Sequence, residues 1–405
     1  MLRKPRLFTP GPTPLLPAAA RAMAAADVHH RTADFRALYA RTLLDLQAFI
    51  GTKNDVLMLA ASGSGAMEAS VSNLTSPGDK VLVCSAGKFG ERWRDLAKAF
   101  GCAVEMVSAP YGETFSLEAV REKLAGNNDI RCVYLQATES STGVRHDVEA
   151  VAELLRAPGS QSGNDVLLIV DAITGLGSTR LDVDGWGIDV IIGGSQKAVM
   201  VPPGLAYLAI SERAWQRAAT ARSPRYYFDL VRERKAAAKG ESAFTPATAL
   251  IAGLAAALDY IREAGNGDLG IGRVALIANA ETAAAMTRAA AEALGLKLFA
   301  KQSPAAALTA IAPPEGTDSN AIVKAFREEF GAVVANGQGE MKGQMFRIAH
   351  LGYYDYLDTI AIVGALEQVL AKVLAPRHVE FGKGLRAAQV AYAKAMAGGS
   401  ASVTR

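Results

Sequence analysis

The sequence predicts an α/β fold, with a mostly parallel sheet covered by helices on both faces and a smaller C-terminal α+β region after it. Three observations lead there. Short, nearly all-apolar runs recur along the first half of the chain: VLMLA (56–60), KVLVCS (80–85), RCVYLQA (131–137), VLLIVDA (166–172) and GIDVIIGG (187–194). A strand buried on both faces reads as such a run, whereas a half-exposed strand alternates. Helical stretches separate the runs, as expected of parallel strands joined by crossover helices. At 405 residues, half of them hydrophobic, the chain exceeds one small core and suffices for two.

Taken in order, the elements begin after a Pro-rich start with a helical stretch over 17–50, where apolar positions recur at three and four. VLMLA leads through SGSG into a helix, and KVLVCS leads into another over about 90–100. Helical patterns dominate 246–296. LKLFA (296–300), ALTAIAP (307–313) and MFRIAHLG (345–352) read as strands of the smaller region. The Gly-rich break EAGNGDLG (263–270) marks the boundary between them. The expected organisation is an N-terminal arm (1–16), a large domain (17–264), a small domain (265–375) and an extension (376–405). That extension is amphipathic and is expected to be a surface helix with a frayed GGSAS end.

Composition excludes several classes. The formal charge is +3 from 43 basic and 40 acidic residues, without the concentrated basic excess of a nucleic-acid binder. Cys84, Cys102 and Cys132 have no paired metal-ligand spacing and sit in or beside apolar runs. They read as buried small hydrophobes in a reducing compartment, and no metal is expected. The start, MLRKPRLFTPGPTP, lacks an apolar stretch fit for a signal peptide. No uncharged apolar window of about 18 residues suggests a membrane span. The final SVTR is not the peroxisomal address, so the cytoplasm is expected.

Chemistry gathers where apolar strands end. VLLIVDA puts Asp171 at the end of a buried strand. The following run ends in GGSQ and then Lys197, with Pro202, Pro203 and Gly204 after it. Ligand sites in such sheets collect at the carboxyl ends of the strands. A buried acid and a lysine at neighbouring strand mouths are what pyridoxal phosphate (PLP) needs. The acid keeps the ring nitrogen protonated, and the amine forms a Schiff base with the aldehyde. Ser62, Gly63 and Ser64, ahead of a helix, would offer backbone N–H groups and two hydroxyls to the phosphate. Singly, each has an ordinary reading: a turn with its N-cap, a loop cap, a solvated strand end. The ordered set is far more specific. SGSG lacks the G-x-G-x-x-G spacing of a nicotinamide site and comes too late for a first strand.

The run DAITGLG…GIDVIIGGSQKAVMVPPG resembles the class V (fold-type I) aminotransferases. Within them it is similar to the alanine–glyoxylate and serine–pyruvate branch, which includes proteins called soluble hydrogenase 42 kDa subunit. FTPGPTPL, HHRTADF, SGSGAMEA, SPGDKVLV, GKFGERW, TESSTGV, FTPAT and FRIAHLG occur in family order across residues 8–352. The resemblance implies the PLP-dependent transferase fold, with a mostly parallel seven-stranded sheet and a smaller C-terminal domain. It makes Lys197 the Schiff-base lysine and Asp171 the partner of the ring nitrogen. Phe89 takes the place of the aromatic stacked on the ring, with Ile173 on the opposite face. Ser140 matches a hydroxyl near the ring oxygen, and Thr142 serves the turn. Gln196 would hydrogen-bond the phosphate, and Thr245 matches a residue reaching the partner's phosphate across a homodimer with shared active sites. Ser242 stands where alanine–glyoxylate relatives carry a tyrosine, which lightens that contact. Arg347 matches the arginine that binds the substrate α-carboxylate through its two-pronged fork. Backbone around Gly11 closes over the same carboxylate, while His30 and Arg31 lie toward the entrance.

The implied reaction is transamination between alanine or serine and glyoxylate or pyruvate, in two half-reactions on one lysine. Lys197, released by the donor, would shuttle a proton from Cα to the cofactor's C4′, which requires a neutral amine. Cysteine desulfurases share the fold but need a late nucleophilic cysteine, and none follows Cys132. Transamination with aspartate or another donor, a lyase, and a non-catalytic accessory subunit are the alternatives.

Overall fold

The computed structural model describes residues 3–156 and 166–399. A seven-stranded sheet runs in the order Asp55–Leu59, Ala206–Ile210, Val190–Gly194, Leu167–Asp171, Ile130–Gln136, Lys80–Ser85, Ala103–Ser108. Ala206–Ile210 is antiparallel to both neighbours, and the remaining pairings are parallel. All five strands expected from apolar runs are present. Two further strands complete the sheet. AVEMVS (103–108) lies at the sheet edge and is half-exposed along most of its length, so it never reads as a buried run. AYLAI (206–210) follows the previous strand without an intervening helix, because an antiparallel return needs no long crossover.

Successive residues of each strand feed opposite faces. Leu57, Val81, Val83, Tyr134 and Ile169 pack with Met67 and Trp93 of helices Gly63–Leu74 and Lys88–Ala99. Met58, Leu82, Leu135, Leu168 and Val170 pack on the other side with Leu46, Phe49 and Leu258. Each such side chain contributes about 1.5–3 kcal/mol on leaving water. The expected helical stretch over 17–50 is two helices, Pro17–Ala25 and Ala33–Ile50. Thr32 separates them: its hydroxyl accepts from Phe35 N at 3.3 Å and caps the second helix.

A second sheet of four strands runs Arg6–Phe8, Ala332–Asn336, Phe346–Ala349, Leu308–Ile311. Its first strand comes from the N-terminal arm, which pairs in parallel with Ala332–Asn336. LKLFA is not a regular strand there; only Leu298 bridges to Ile311. The Gly-rich break is a tight turn between helices Thr248–Ala264 and Leu269–Ala293, with Asn266 at φ 53°.

In the C-terminal extension, helix Lys383–Gly399 lies along Leu269–Ala293. Of the GGSAS end expected to fray, Gly398 and Gly399 still belong to this helix, and the rest lies outside the described residues. Glu367, on helix Tyr356–Val373, anchors the start of this helix. Its buried carboxylate accepts from Gly382 N at 2.8 Å, Gly384 N at 2.8 Å and Leu385 N at 3.1 Å. Among the described residues no helix is long and apolar enough to cross a membrane. Glu367→Ala strands three N–H groups and should lower unfolding free energy by about 1–3 kcal/mol in denaturant titration. Amide exchange should then accelerate first in the helix that begins at Lys383.

Candidate active site

The carboxyl ends of the parallel strands bring the expected residues together. Asp171 closes its strand in register with Ile192 of the neighbour, and Lys197 follows that neighbour's end by three residues. The N-terminal arm lies directly over the lysine. Lys197 Nζ donates to the carbonyl of Pro10. Thr13 ties the arm to the lysine loop: its N–H meets Gln196 O at 3.2 Å and its hydroxyl meets Lys197 O at 2.9 Å. Gly11 has φ 152°, and a Cβ there would sit 2.6 Å from Lys197 Nζ, so a side chain at this position would displace the amine.

Burial sets the charges. Asp171 is 5% exposed and Lys197 8% exposed. Loss of water raises the Asp171 carboxyl to about 6, helped by nearby Glu139 and opposed by the Ile173 N–H on Oδ1 and by Lys197. Desolvation likewise lowers the Lys197 amine to about 8, with Arg347 pushing the same way and Asp171 resisting. Arg347, buried on strand Phe346–Ala349, falls to about 10 for the same reason, and Glu139 opposes that fall. Its Nη1 donates to Ser140 O at 2.6 Å and its Nη2 to Asn336 O, while Nε is buried without a partner among the described residues.

At the start of helix Gly63–Leu74, Ser62 occupies the N-cap position without its side chain capping the helix. Backbone N–H groups there stay available to an anion. Gly63 is required by close approach, since a Cβ would lie 2.2 Å from Ile173 Cδ1. Ile173 thus packs against the turn. Gln196 Oε1 is buried with no partner among the described residues. Ser140 is buried, and Thr142 bonds the carbonyl of Glu139 within the turn, as expected of it.

Some expected residues lie elsewhere. Thr245 and Ser242 line a different cavity, with Tyr39, Tyr227 and Glu233. Arg31 is exposed, and the His30 ring packs on His29 at 4.6 Å. Among the described contacts none of these four reaches Lys197 or Asp171. Three residues of the site carry no strong sequence signal. Glu139 is fully buried, and its carboxylate accepts from Phe89 N and Gly90 N at 3.1 Å each and from the Ser141 hydroxyl at 2.5 Å. It therefore caps the helix that carries Phe89, where the helix dipole favours an anion. A lone Glu at the end of an apolar run was the clue available. Thr13 lies within TPGPT, where the glycine and prolines dominate the reading. Arg92 donates to Ser64 Oγ at 2.9 Å and lies over the Phe89 ring at 4.8 Å.

The model of the family "Aminotransferase class-V" matches residues 18–341. The chain belongs to the class V aminotransferases. It is 38% identical to the "Soluble hydrogenase, small subunit" of Synechococcus sp. (strain PCC 6716), over 92% of this chain and 94% of that one. It is 34% identical to a serine–glyoxylate aminotransferase of Hyphomicrobium methylovorum, covering 89% of this chain and 88% of the other. Among solved structures, an aspartate aminotransferase of subgroup IV from Thermus thermophilus superposes with a TM-score of 0.82 at 34% identity, covering 91% and 99% of the two chains.

The family is PLP-dependent, and this chain is a PLP-dependent aminotransferase with the fold expected of it. The residues present fit the cofactor. They provide a buried acid, a buried amine, the Phe89 ring on helix Lys88–Ala99, a helix start whose N-cap side chain is unused, and the Gln196 amide oxygen, buried with no partner among the described residues. Among the described residues no cluster of three or more metal-ligating side chains occurs.

A lysine attacks an aldehyde as its neutral amine, and burial makes that form dominate in Lys197 above about 8 rather than above the ordinary 10.5. The rate of covalent PLP attachment to the apoprotein should therefore rise with pH through about 8 and then level. A rate that keeps climbing toward the ordinary lysine value would show that burial does not set this amine's titration.

Proposed function

We propose that this aminotransferase moves an amino group between alanine or serine and glyoxylate or pyruvate, with Lys197 as its covalent anchor and proton carrier. The observation that carries this reading is one buried site holding Asp171, Lys197 and Arg347, in which loss of water shifts the Lys197 amine toward the neutral state that the chemistry uses. Bound PLP supplies an aldehyde for the lysine and an electron-poor ring that takes up charge from the substrate's Cα. Asp171 holds the proton of the ring nitrogen. Phe89 and Ile173 would pack against the cofactor's ring, Ser140 would bond its oxygen, and Ser62, Gly63, Ser64 and Gln196 would hold its phosphate. Arg347 binds the α-carboxylate through its fork and so fixes which bond at Cα faces Lys197. Gly11 closes the backbone over that carboxylate. Freed by the donor, the neutral amine of Lys197 takes the Cα proton.

Thr245, exposed on this chain, is suited to the partner's phosphate in a homodimer. The exposed Tyr226 and Tyr227, stacked about Phe244 next to it, favour a partner covering that loop. Its three buried, unpaired cysteines suit a reducing compartment such as the cytoplasm.

Likeness to an aspartate aminotransferase favours aspartate as an alternative donor. Likeness to a hydrogenase subunit favours a non-catalytic role as another. Incubating the PLP-loaded protein with alanine, serine or aspartate separates these readings. Conversion of the absorbance band to the pyridoxamine form should follow with alanine or serine, aspartate alone would move the donor, and an inert spectrum would favour the accessory role. Lys197→Ala should abolish turnover and covalent cofactor, and borohydride should fix the label on Lys197 in the native chain. Arg347→Lys keeps the charge but loses the fork, and should raise KM for the donor about tenfold or more, with a smaller effect on kcat.

A further inference from the structure

We propose that Arg92 is a positioning residue of the phosphate cradle, holding the Ser64 hydroxyl as a donor and supplying positive charge at the phosphate end of the cofactor. The proposal rests on the reading of Ser62–Ser64 as the phosphate site. Arg92 lies three residues beyond Phe89 on helix Lys88–Ala99, so the two side chains share one helix face. The guanidinium lies over the Phe89 ring at 4.8 Å, which fixes its plane. From that floor its Nη1 reaches Ser64 Oγ at 2.9 Å.

The direction of this bond matters. Arginine only donates, so Ser64 accepts there, and its single O–H stays free to point at another acceptor. A phosphate oxygen at the start of helix Gly63–Leu74 is the acceptor that geometry favours. Charge supports the same assignment. On this helix Lys88 pairs with Glu91 at 3.0 Å and Arg94 with Asp95 at 2.7 Å. Arg92 meets no carboxylate within ion-pair distance among the described residues. Its charge is felt as far as Asp171, where it opposes the upward push of burial. A lysine could carry the charge but could not both stack and donate with a fixed plane.

The test compares PLP with pyridoxal, which lacks the phosphate, on the purified full-length protein. Dissociation constants for both are measured by absorbance titration for the native chain, Arg92→Gln and Arg92→Lys. Arg92→Gln should bind PLP about tenfold or more weakly, the loss expected for one charge-assisted contact. Pyridoxal affinity should stay within about twofold. Arg92→Lys should fall between, and its ratio of PLP to pyridoxal affinity decides the matter if the glutamine variant does not fold. Unchanged PLP affinity, or equal loss for both vitamers, overturns the role of Arg92. Failure of the native chain itself to bind PLP would instead remove the phosphate reading on which the role depends.

Discussion

Removing a carboxylate and an amine from water at the mouths of two adjacent strands is costly, and the rest of the site is arranged around that cost. Neither group recovers its full solvation. One backbone N–H reaches Asp171 and one backbone carbonyl reaches Lys197. Desolvation therefore dominates both titrations, moving the acid up and the base down toward neutrality. The same opposition that destabilises two buried charges keeps a nucleophilic amine available near physiological pH. A seven-stranded sheet with helices on both faces is rigid enough to hold them there.

That sheet does not close the site alone. Residues 6–16 leave the second sheet, pass over Lys197 and join the lysine loop through Thr13 and Leu16. Arg347 arrives from the second sheet and bonds the carbonyl of Ser140, in the short hairpin of Thr138–Glu139 and Val144–Arg145 that follows strand Ile130–Gln136 of the first. The arm and the arginine thus couple the two sheets through the lysine's surroundings. Glu139 performs a similar service beside the first sheet, joining the turn that presents Ser140 to the helix that presents Phe89.

Much of this was legible in the order of residues. Five of seven strands announce themselves as apolar runs because a strand covered on both faces has no polar side to display. Asp171 and Lys197 stand out as a set, because an acid and an amine at neighbouring strand mouths suit one chemistry, although each alone reads as a loop cap or a solvated strand end. The edge strand Ala103–Ser108 and the return strand Ala206–Ile210 stayed hidden, one for its half-exposure and the other for its short connection. The arm's strand is three residues long, too short for any period to register.

By itself the sequence determined the fold class and set an acid and an amine at the ends of buried strands, since these depend on local runs of apolar and charged residues; the arginine came from resemblance to the family. Tertiary structure alone decided that Pro10 and Thr13 cover the lysine, that Glu139 caps the Phe89 helix, and that Arg92 meets Ser64. It also set Thr245 apart from its own chain's lysine. These pairings join residues 28 to 187 positions apart, and no local pattern encodes the packing of two sheets and an arm that brings them into contact.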